Sequence, residues 1–244
     1  MYRLDFFLVE KNIIESRNKA QTLIKNNNIS VNGSIINKPS FMVNDNDDIK
    51  VIDNLKYVSR AGEKLKFAID KYKINFINKN VLDLGASTGG FVDCCLQEKS
   101  KKVFAVDVGI HQLHKKLLNN SKVINLEKTN IKELNNEIIN EKIDIILSDL
   151  SFTSSTIVFD SIKNIEKSDD HILIILIKPQ FELNEKIIKK NKGHIKDQKY
   201  HKLAIDKICS YAKQNNYSLL QIDESPLLGA KNNNKEFIAI FKHE

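Results

Sequence analysis

The apolar positions of residues 57–244 fall into short continuous runs, and most intervals between the runs show the spacing of an amphipathic helix. The runs predict strands at 80–84, 102–107, 123–127, 143–148, 172–177, 217–223 and 236–242. Because strands and helices alternate, we expect a parallel, doubly wound α/β sheet of the Rossmann-like type. The run Ile172–Ile177 has no polar position, as expected for a strand covered on both faces. The last strand follows the sixth without a helix, so it is predicted to be antiparallel.

Residues 1–52 show a different pattern, in which two short helical periodicities precede several short strands. The predicted elements are a helix with Leu4, Phe7 and Leu8, a helix capped by Ser16 with Ala20, Leu23 and Ile24 on one face and its end at Asn26–Asn28, strands at 29–31 and 34–36, and a closing strand at 49–51. The Asn32-Gly33 pair between two of these strands is a strong hairpin signal. We therefore predict a small α+β domain over residues 1–52, a linker over 53–58 and a larger domain over 59–244.

A glycine turn follows the first predicted strand of the larger domain. Gly85, Gly89 and Gly90 lack a Cβ, so the backbone can turn sharply there and approach a ligand closely. The spacing differs from the dinucleotide fingerprint G-x-G-x-x-G, and no Lys-Ser/Thr pair follows as in a P-loop. The remaining pattern, an acidic residue followed by x-Gly-x-x-x-Gly-Gly, predicts a site for S-adenosylmethionine (SAM). The residues predicted to line the methionine end are Asp83, Gly85, Ser87, Gly89 and Gly90.

A second carboxylate, Asp107, ends the next predicted strand. It follows the glycine turn at roughly the twenty-residue offset expected for an acid that binds ribose hydroxyls. An aspartate at a strand end can also serve as an ordinary turn or helix-cap residue. The combination with the glycine turn favours ribose binding, and the Val123-Ile124 strand and Asn130 are predicted to lie near the adenine.

The composition is that of a folded globular protein with a basic net charge. Of the 244 residues, 41% are hydrophobic and 28% are charged, which supports a packed core and argues against global disorder. The formal net charge of +7 indicates phosphate-rich partners, although Arg3, Arg17 and Arg60 are the only arginines. Three cysteines without a disulfide framework fit the reducing cytoplasm, and the N-terminus lacks the pattern of a signal peptide.

Neither a membrane nor a metal is predicted as a partner. The longest apolar run, Ile172–Ile177, is far too short to span a bilayer. The histidines His111, His114, His194 and His201 lack the spacing of metal ligands.

The residue order in the small domain is similar to that of a known RNA-binding module. The similar segments are Arg3-x-Asp5-x-x-Leu8, Glu15-Ser-Arg17-x-x-Ala20-x-x-Leu23-Ile24, Val31-Asn-Gly33 and Lys38-Pro-Ser40. They resemble the S-four-type domain, named after a protein of the small ribosomal subunit, which contacts RNA through its second helix and its hairpin edge. The resemblance implies that Arg3, Arg17, Lys19 and Lys38 contact RNA phosphates. Taken singly, each of these side chains could equally be a solvated surface charge.

Four charged positions of the larger domain are candidates for chemistry. Asp149 and Lys178 follow the carboxyl ends of predicted parallel strands, the edge where ligands bind in open α/β sheets. Six apolar residues precede Lys178 and a proline follows it, so its side chain is expected to be rigid and partly desolvated. Lys64 lies at the start of a predicted helix, and Glu236 begins the last predicted strand. Surface charges are the alternative reading of these two positions.

The motifs of the larger domain resemble those of the TlyA family in the same order. The segments are Ser59–Leu65, Asp83–Asp93, Ala105-Val-Asp-Val-Gly109, Glu127-Lys-Thr-Asn-Ile131, Asp149–Phe152 and Lys178–Glu182. Members of this family are RNA ribose 2′-O-methyltransferases, with an S-four-type domain ahead of an FtsJ-like catalytic domain. The resemblance implies a catalytic Lys-Asp-Lys-Glu tetrad at Lys64, Asp149, Lys178 and Glu236. It also implies SAM as the cofactor and ribosomal RNA or ribosomal subunits as the partner.

The resemblance leads to specific expectations about the reaction. Lys178 is expected beside the 2′-hydroxyl with Asp149 as its orienting partner, while Lys64 and Glu236 position the substrate. The implied target is a cytidine. The chain ends just after its last strand, as in members that act on the large subunit alone, and action on both subunits is the alternative.

Three other functions fit the sequence less well than RNA ribose methylation. Relatives are often labelled haemolysins, which suggests a membrane-active cytolysin, but the chain has no export signal and no spanning segment. A non-catalytic RNA-binding protein is a further alternative, against which the intact glycine turn and the three residues Lys64, Asp149 and Lys178 argue. A nicotinamide-dependent dehydrogenase is disfavoured because the dinucleotide fingerprint is missing.

Overall fold

The chain divides into two compact units, Met1–Leu55 and Lys56–Glu244. The structure, a computed structural model, describes residues 1–25, 28–51, 56–229 and 233–244. The first part of the predicted linker, the predicted helix end at Asn26 and Asn27, and part of the turn before Glu236 therefore lie outside the described residues.

The N-terminal unit has the helices and strands that the sequence predicts, with one addition. Its elements are β1 (Tyr2–Arg3), α1 (Leu4–Glu10), α2 (Arg17–Lys25), β2 (Ile29–Val31), β3 (Ser34–Ile35), β4 (Met42–Val43) and β5 (Ile49–Val51). Strands β3, β2 and β5 form an antiparallel sheet in this order, and β1 pairs with β4. The pair β1–β4 was not predicted, because two residues are too few to show a hydrophobic period.

The hairpin between β2 and β3 follows from its two turn residues. Asn32 and Gly33 both have positive φ angles, 51° and 79°, as a type I′ turn requires. The helices α1 and α2 bury Leu4, Leu8 and Ile24 against the sheet, and this small core closes the unit.

The C-terminal unit alternates strands and helices. Its elements are α3 (Ala61–Tyr72), β6 (Asn80–Leu84), α4 (Gly90–Gln97), β7 (Lys102–Val106), α5 (Lys115–Leu118), β8 (Val123–Leu126), β9 (Ile143–Ser148), α6 (Thr156–Ser161), β10 (Lys167–Ile177), α7 (Pro179–Glu182), α8 (Glu185–Lys190), α9 (Gln198–Gln214), β11 (Tyr217–Glu224) and β12 (Phe237–His243). A short 3₁₀ turn covers Ile131–Glu133. Strand β10 begins five residues earlier than predicted, because Lys167 pairs with Ile143 of β9 ahead of an irregularity that precedes Ile172. Glu236 lies just before β12 rather than inside it.

The strands form one sheet in the order β11-β12-β10-β9-β6-β7-β8. Neighbours from β10 to β8 are parallel, and β12 is antiparallel to both β10 and β11, as the missing helix before β12 predicts. From the central strand β6 the chain moves outward through β7 and β8 and then returns to the other side of β6 at β9. The carboxyl ends of β6 and β9 therefore form a topological switch point, where open α/β sheets bind their ligands.

Helices cover both faces of this sheet. Successive strand residues such as Val81 and Leu82 point to opposite faces of the sheet. The side chains on each face form a separate buried apolar cluster. One cluster packs against α3, α4 and α5, and the other packs against α6 and α9. Burial on both sides explains the uninterrupted apolar run of β10.

Candidate active site

The predicted chemical residues of the larger domain gather at one edge of the sheet. Asp83 lies near the end of β6, Asp107 follows β7, Asp149 follows β9, and Lys178 follows β10. These strands are parallel neighbours, so their carboxyl ends meet at the switch point beside β6 and β9.

The glycine turn after β6 is held close to the loop after β9. Gly85 has a φ of +86°, and a Cβ there would lie 3.0 Å from the Leu150 Cδ2 atom. The next positive φ belongs to Ser87, whose backbone N–H donates to the Asp107 Oδ2 atom at 2.8 Å. A side chain at Gly85 would therefore be both strained and crowded.

The other two glycines allow close packing of α4. A Cβ on Gly89 would meet the Leu113 and Leu117 side chains, and a Cβ on Gly90 would meet the Ser59 Oγ atom. The space where a Gly89 Cβ would lie is thus filled by these leucines and is not open to a ligand. Gly90 lines a cavity of about 160 Å³ together with Gly85 and Asp83.

Asp107 braces the turn from the neighbouring strand. Its half-buried carboxylate accepts hydrogen bonds from the Ser87 N–H and, at 2.7 Å, from the Gly109 N–H. Each carboxylate oxygen keeps a further lone pair. Asp107 therefore acts as a turn residue and still offers acceptors to the cavity that it lines.

Asp83 is a fully buried carboxyl group, and neither of its oxygens has a hydrogen-bond partner among the residues that the structure describes. Burial raises the pKa of Asp83 well above its ordinary value, and the nearby Asp149 and Asp107 carboxylates raise it further. Because it lines the small cavity beside Gly85 and Gly90, this unsatisfied group is suited to a polar or cationic ligand.

The structure brings Lys64, Asp149, Lys178 and Glu236 together. The Lys178 Nζ atom lies 2.6 Å from Asp149 Oδ1 and donates to Ser151 Oγ at 3.1 Å. The Lys64 Nζ atom lies 2.6 Å from Glu236 Oε2 and 3.8 Å from Asp149 Oδ2. Asp149 is therefore the link between two nearly buried lysine–carboxylate pairs.

Three cavities meet at this cluster. The largest, of about 590 Å³, is lined by Gly85, Ser87, Asp107 and Asn130. A second, of about 380 Å³, contains all four charged residues of the cluster in its wall. Asp149 and Ser151 also line the 160 Å³ cavity, so they belong to the boundary of all three. The arrangement can hold a cofactor on one side of Asp149 and a second reactant on the other.

Sequence reasoning missed some residues that support this site. Ser151 and Glu182 lie within motifs that were quoted, but no role was predicted for them. Asn234 is buried beside Glu236, where its side chain accepts from the Ile195 N–H at 2.8 Å and donates to the Gly193 carbonyl at 2.9 Å. No sequence signal distinguishes Asn234 from the asparagines that precede it.

In the N-terminal unit, two of the four predicted RNA-contacting side chains, Arg3 and Arg17, bind the same carboxylate. Asp5 is buried, and its carboxylate accepts hydrogen bonds from Arg3, Arg17 and Gln21. Both guanidinium groups remain about half exposed. The other two predicted contacts, Lys19 and Lys38, are exposed, and Lys19 pairs at 2.9 Å with Glu15, which lies just before α2.

Membrane-spanning helices and metal-binding clusters are both absent from the described parts of the chain. Within residues 1–25, 28–51, 56–229 and 233–244, no helix has the length and apolar character needed to cross a membrane. The same stretches hold no group of three or more histidine, cysteine, aspartate or glutamate side chains arranged to bind a metal ion.

Comparison with known proteins defines the class. Residues 57–242 match the model of the FtsJ-like methyltransferase family, and residues 3–49 match the S4 domain. The chain is 41% identical to a protein named hemolysin A from Brachyspira hyodysenteriae, over 98% of this chain and 99% of that protein. It is 38% identical to the 23S rRNA (cytidine-2′-O)-methyltransferase TlyA of Campylobacter jejuni, over 81% of this chain and 82% of the relative.

A solved structure agrees with these matches. A protein from Streptococcus thermophilus that bears the name of a hemolysin superposes with a TM-score of 0.78 at 28% identity, covering 99% of this chain and 88% of its own. Fold and site together define a SAM-dependent methyltransferase that carries an S4 domain. The chain belongs to the TlyA family of FtsJ-like methyltransferases.

The residues present at the switch point fit SAM, the cofactor of this class. Gly85 leaves room where a Cβ would meet the neighbouring loop, and Asp83 presents a buried carboxyl group that no described side chain or backbone group pairs with. Asp107 has acceptor capacity left on the wall of the largest cavity. A sulfonium-bearing amino acid joined to a ribose needs such a set of carboxylates and close-approaching backbone.

Proposed function

We propose that this chain methylates the ribose 2′-hydroxyl of a ribosomal RNA nucleotide, with SAM as the methyl donor. The FtsJ-like family match supports the reaction class, and the S4 domain supports RNA as the partner. The name of the Campylobacter relative supports a cytidine of the large-subunit RNA as the target. Action on ribosomal RNA implies that the enzyme works in the cytoplasm.

One observation carries the proposal most directly. The Lys178 ammonium and the Asp149 carboxylate lie 2.6 Å apart at the place where the cofactor-sized cavity and the second cavity share a wall. A reactant in the second cavity would meet Lys178 beside the boundary with the first. This is where a group that activates a nucleophile has to lie.

The chemistry demands alignment more than a strong base. SAM supplies a methyl group on a sulfonium, which is already a good leaving group. A ribose hydroxyl is a weak nucleophile that must be held about 3 Å from its target in a fixed direction. Lys178 can accept the hydroxyl proton when its amine is neutral, or stabilise the developing oxyanion when it is charged, and Asp149 and Ser151 hold the lysine side chain in place.

The remaining charged pair supports substrate positioning. Lys64 and Glu236 form a nearly buried pair in the wall of the second cavity, and Lys64 also faces Asp149. A pair that is already formed in the free protein needs no rearrangement when RNA arrives. Asp83, Gly85, Ser87, Gly90 and Asp107 are the residues that would hold the cofactor, with Gly89 shaping the turn between them.

RNA contacts are assigned to the N-terminal unit on the basis of charge. Arg3 and Arg17 offer two guanidinium groups held by one carboxylate, and exposed Lys19 and Lys38 belong to the same domain. Lysine and arginine side chains neutralise RNA phosphates and release counterions, which gives affinity without requiring sequence readout. The target nucleotide would then be selected by the second cavity, which contains the four charged residues in its wall.

The experiment that tests the proposal measures transfer of a tritiated methyl group from SAM to separated ribosomal subunits that lack native methylation. Wild type is compared with Lys178→Ala, and Lys79→Ala serves as the matched control. Lys79 also pairs with an aspartate, Asp144, but lies at the amino ends of the strands, away from the cavities. Alkaline hydrolysis then shows the position of the label, because a 2′-O-methyl group protects the adjacent phosphodiester.

Label on the large subunit, in an alkali-resistant dinucleotide that is lost in Lys178→Ala and retained in Lys79→Ala, supports the proposal. Label on the small subunit would add a second target. No label on either subunit, with SAM binding intact, would overturn the ribosomal assignment. Lysis of erythrocytes by purified, nuclease-treated protein is the result that would favour a cytolysin instead.

A further inference from the structure

Glu182 is a buried carboxylate at the end of α7 that no step of the proposed reaction uses. Its side chain is fully buried, and its Oε1 atom accepts a hydrogen bond from the Ser155 N–H at 2.7 Å. The Oε2 atom accepts from Ser154 Oγ at 2.5 Å and lies 3.1 Å from Lys207 Nζ. Lys207, on α9, also donates to Ser154 Oγ at 3.0 Å and to the Glu182 carbonyl at 2.9 Å.

These contacts join two segments that both begin at the reaction centre. The first, residues 149–155, starts with Asp149 and continues to the residues bound by Glu182. The second, residues 178–182, starts with Lys178 and ends with Glu182. Lys178 and Asp149 tie the segments together at one end, and Glu182 ties them together at the other.

The segment 149–155 has a conformation that needs support. Phe152 has a φ of +66°, a left-handed conformation that is strained for a side chain of this size, and its ring is 80% exposed. Such strain persists only where the surroundings hold the backbone in place. The Phe152 ring lies against the Phe181 ring with centroids 5.5 Å apart, and both residues fall between the two ties in sequence.

The same segment is also a shared wall of the site. Residues 149–153 line the largest cavity, and Asp149, Ser151 and Phe152 line the second one. A shift of the segment would therefore move the Lys178–Asp149 pair relative to both reactants at once. Misplacement of about 1 Å in such a site can cost about a hundredfold in rate.

We propose that Glu182 and Lys207 form an anchor that positions residues 149–155, and thereby sets the geometry of the Lys178–Asp149 pair. Glu182 is a positioning residue, because all its carboxylate contacts are to Ser154, Ser155 and Lys207 rather than to a cavity. The effect on methyl transfer rests on the proposed function. The effect on the segment itself does not depend on it.

The test compares four variants of the full chain. Glu182→Met removes both carboxylate acceptors and leaves the backbone carbonyl that Lys207 also contacts. Lys207→Met removes the cation from the half-exposed side, and Lys207→Arg keeps charge and reach. Glu98→Met is the matched control, since Glu98 pairs with Lys66 at 2.7 Å in a partly buried pair outside the three cavities. Hydrogen exchange of peptides covering 149–155 is measured beside the single-turnover transfer rate, the KM for RNA and the Kd for SAM.

We expect faster exchange over 149–155 and a transfer rate lowered by about 10- to 100-fold in Glu182→Met and Lys207→Met. Lys207→Arg is expected to retain both properties, and Glu98→Met is expected to lose thermal stability without either change. If Glu182→Met does not fold, Lys207→Met decides the result. Unchanged exchange over 149–155, or a transfer rate like that of the control, would overturn the anchor. A wild-type enzyme that methylates no ribosomal RNA would sink the proposed function, while the exchange data would still judge the anchor.

Discussion

The Lys178 Nζ atom lies 2.6 Å from Asp149 Oδ1, although the two residues follow different strands, β10 and β9. These strands are parallel neighbours, in which Ile175 of β10 faces Ser148 of β9. The register therefore brings the carboxyl ends of the two strands together, with Lys178 two residues beyond the position across from Asp149. The contact at the centre of the site is thus a direct consequence of strand pairing.

Asp149→Asn is expected to lower the methyl-transfer rate by about 100-fold while SAM affinity stays close to that of wild type. The amide keeps the shape of the side chain but no longer offers a charge to Lys178 and Lys64. The single-turnover rate at saturating RNA and SAM is the measurement. Asp144→Asn, which alters an aspartate at the start of the same strand, is the control and should retain full activity. Equal rates for the two variants would remove Asp149 from the mechanism.

The pair of Lys64 and Glu236 makes a prediction that separates stability from activity. Glu236→Met leaves the Lys64 ammonium nearly buried beside Asp149 alone, and should cost about 3 kcal/mol in the free energy of unfolding. The double variant Lys64→Met, Glu236→Met removes both charges and should recover much of this loss. Chemical denaturation measures both effects. Activity should stay low in the double variant, and its return would show that the pair is structural only.

Asp83 predicts an unusual dependence of stability on pH in the cofactor-free protein. Its pKa is raised by burial, so the folded state keeps a proton that the unfolded chain loses near pH 4. The contribution of Asp83 to the free energy of unfolding is therefore present at low pH. It is lost as the pH rises toward the pKa that Asp83 has in the folded protein. In Asp83→Asn the side chain does not ionise, so this decrease in stability with rising pH disappears. The unfolding temperature of the variant should therefore exceed that of wild type by more at about pH 8 than at about pH 5.

The same Asp83→Asn variant should bind SAM at least about tenfold more weakly, because an amide replaces the buried carboxyl group of the cavity. Calorimetric titration measures this loss. Asp70→Asn is the control, because the hydrogen bond from Lys66 lowers the pKa of the exposed Asp70 carboxylate instead of raising it. This variant should gain no stability relative to wild type at high pH. Tighter SAM binding in Asp83→Asn would contradict the assigned role.

Asp5→Asn is expected to weaken RNA binding although Asp5 itself is buried. The hydrogen bond from Arg3 holds the pKa of Asp5 well below its usual range against the opposing effect of burial, and Gln21 and Arg17 add to it. The stabilising contribution of this carboxylate is present above about pH 4 and is lost as the pH falls further. An amide cannot hold two guanidinium groups, so Arg3 and Arg17 lose their fixed arrangement.

The measurement for Asp5→Asn is RNA affinity of the full chain as a function of salt concentration. We expect an affinity lowered by about five- to tenfold in Asp5→Asn, whereas Arg17→Ala should also reduce the salt slope by about 1. Asp48→Asn is the control, since Asp48 is an exposed aspartate that pairs with Lys50 of the same unit. RNA affinity of Asp5→Asn equal to that of Asp48→Asn would show that the arginines need no positioning.

The regular parts of the fold were predictable because their cause is local. The apolar runs gave six of the seven strands of the large sheet within one or two residues at each end, and the Asn32-Gly33 turn identified the hairpin. The start of β10 was missed, because its polar first half carries no apolar run and pairs only through its neighbour β9. The β1–β4 pair was missed because strands of two residues are too short to show a hydrophobic period.

The sequence by itself determined which chemical groups the site contains. Gly85 needs a positive φ that glycine adopts freely, and the acids and lysines that follow apolar strands had to lie at one edge of a parallel sheet. The order of motifs was sufficient to indicate the family and its cofactor.

Only the tertiary structure decided how these groups meet. Lys64, from a helix before the sheet, and Glu236, from just before the last strand, are paired because β12 inserts between β10 and β11. Among the described residues, the lack of a partner for Asp83 and the contacts of Glu182 with Ser154, Ser155 and Lys207 likewise depend on distances between segments far apart in the chain. Hydrophobic periodicity fixes the direction of each side chain relative to its own element, whereas such contacts depend on how the elements pack.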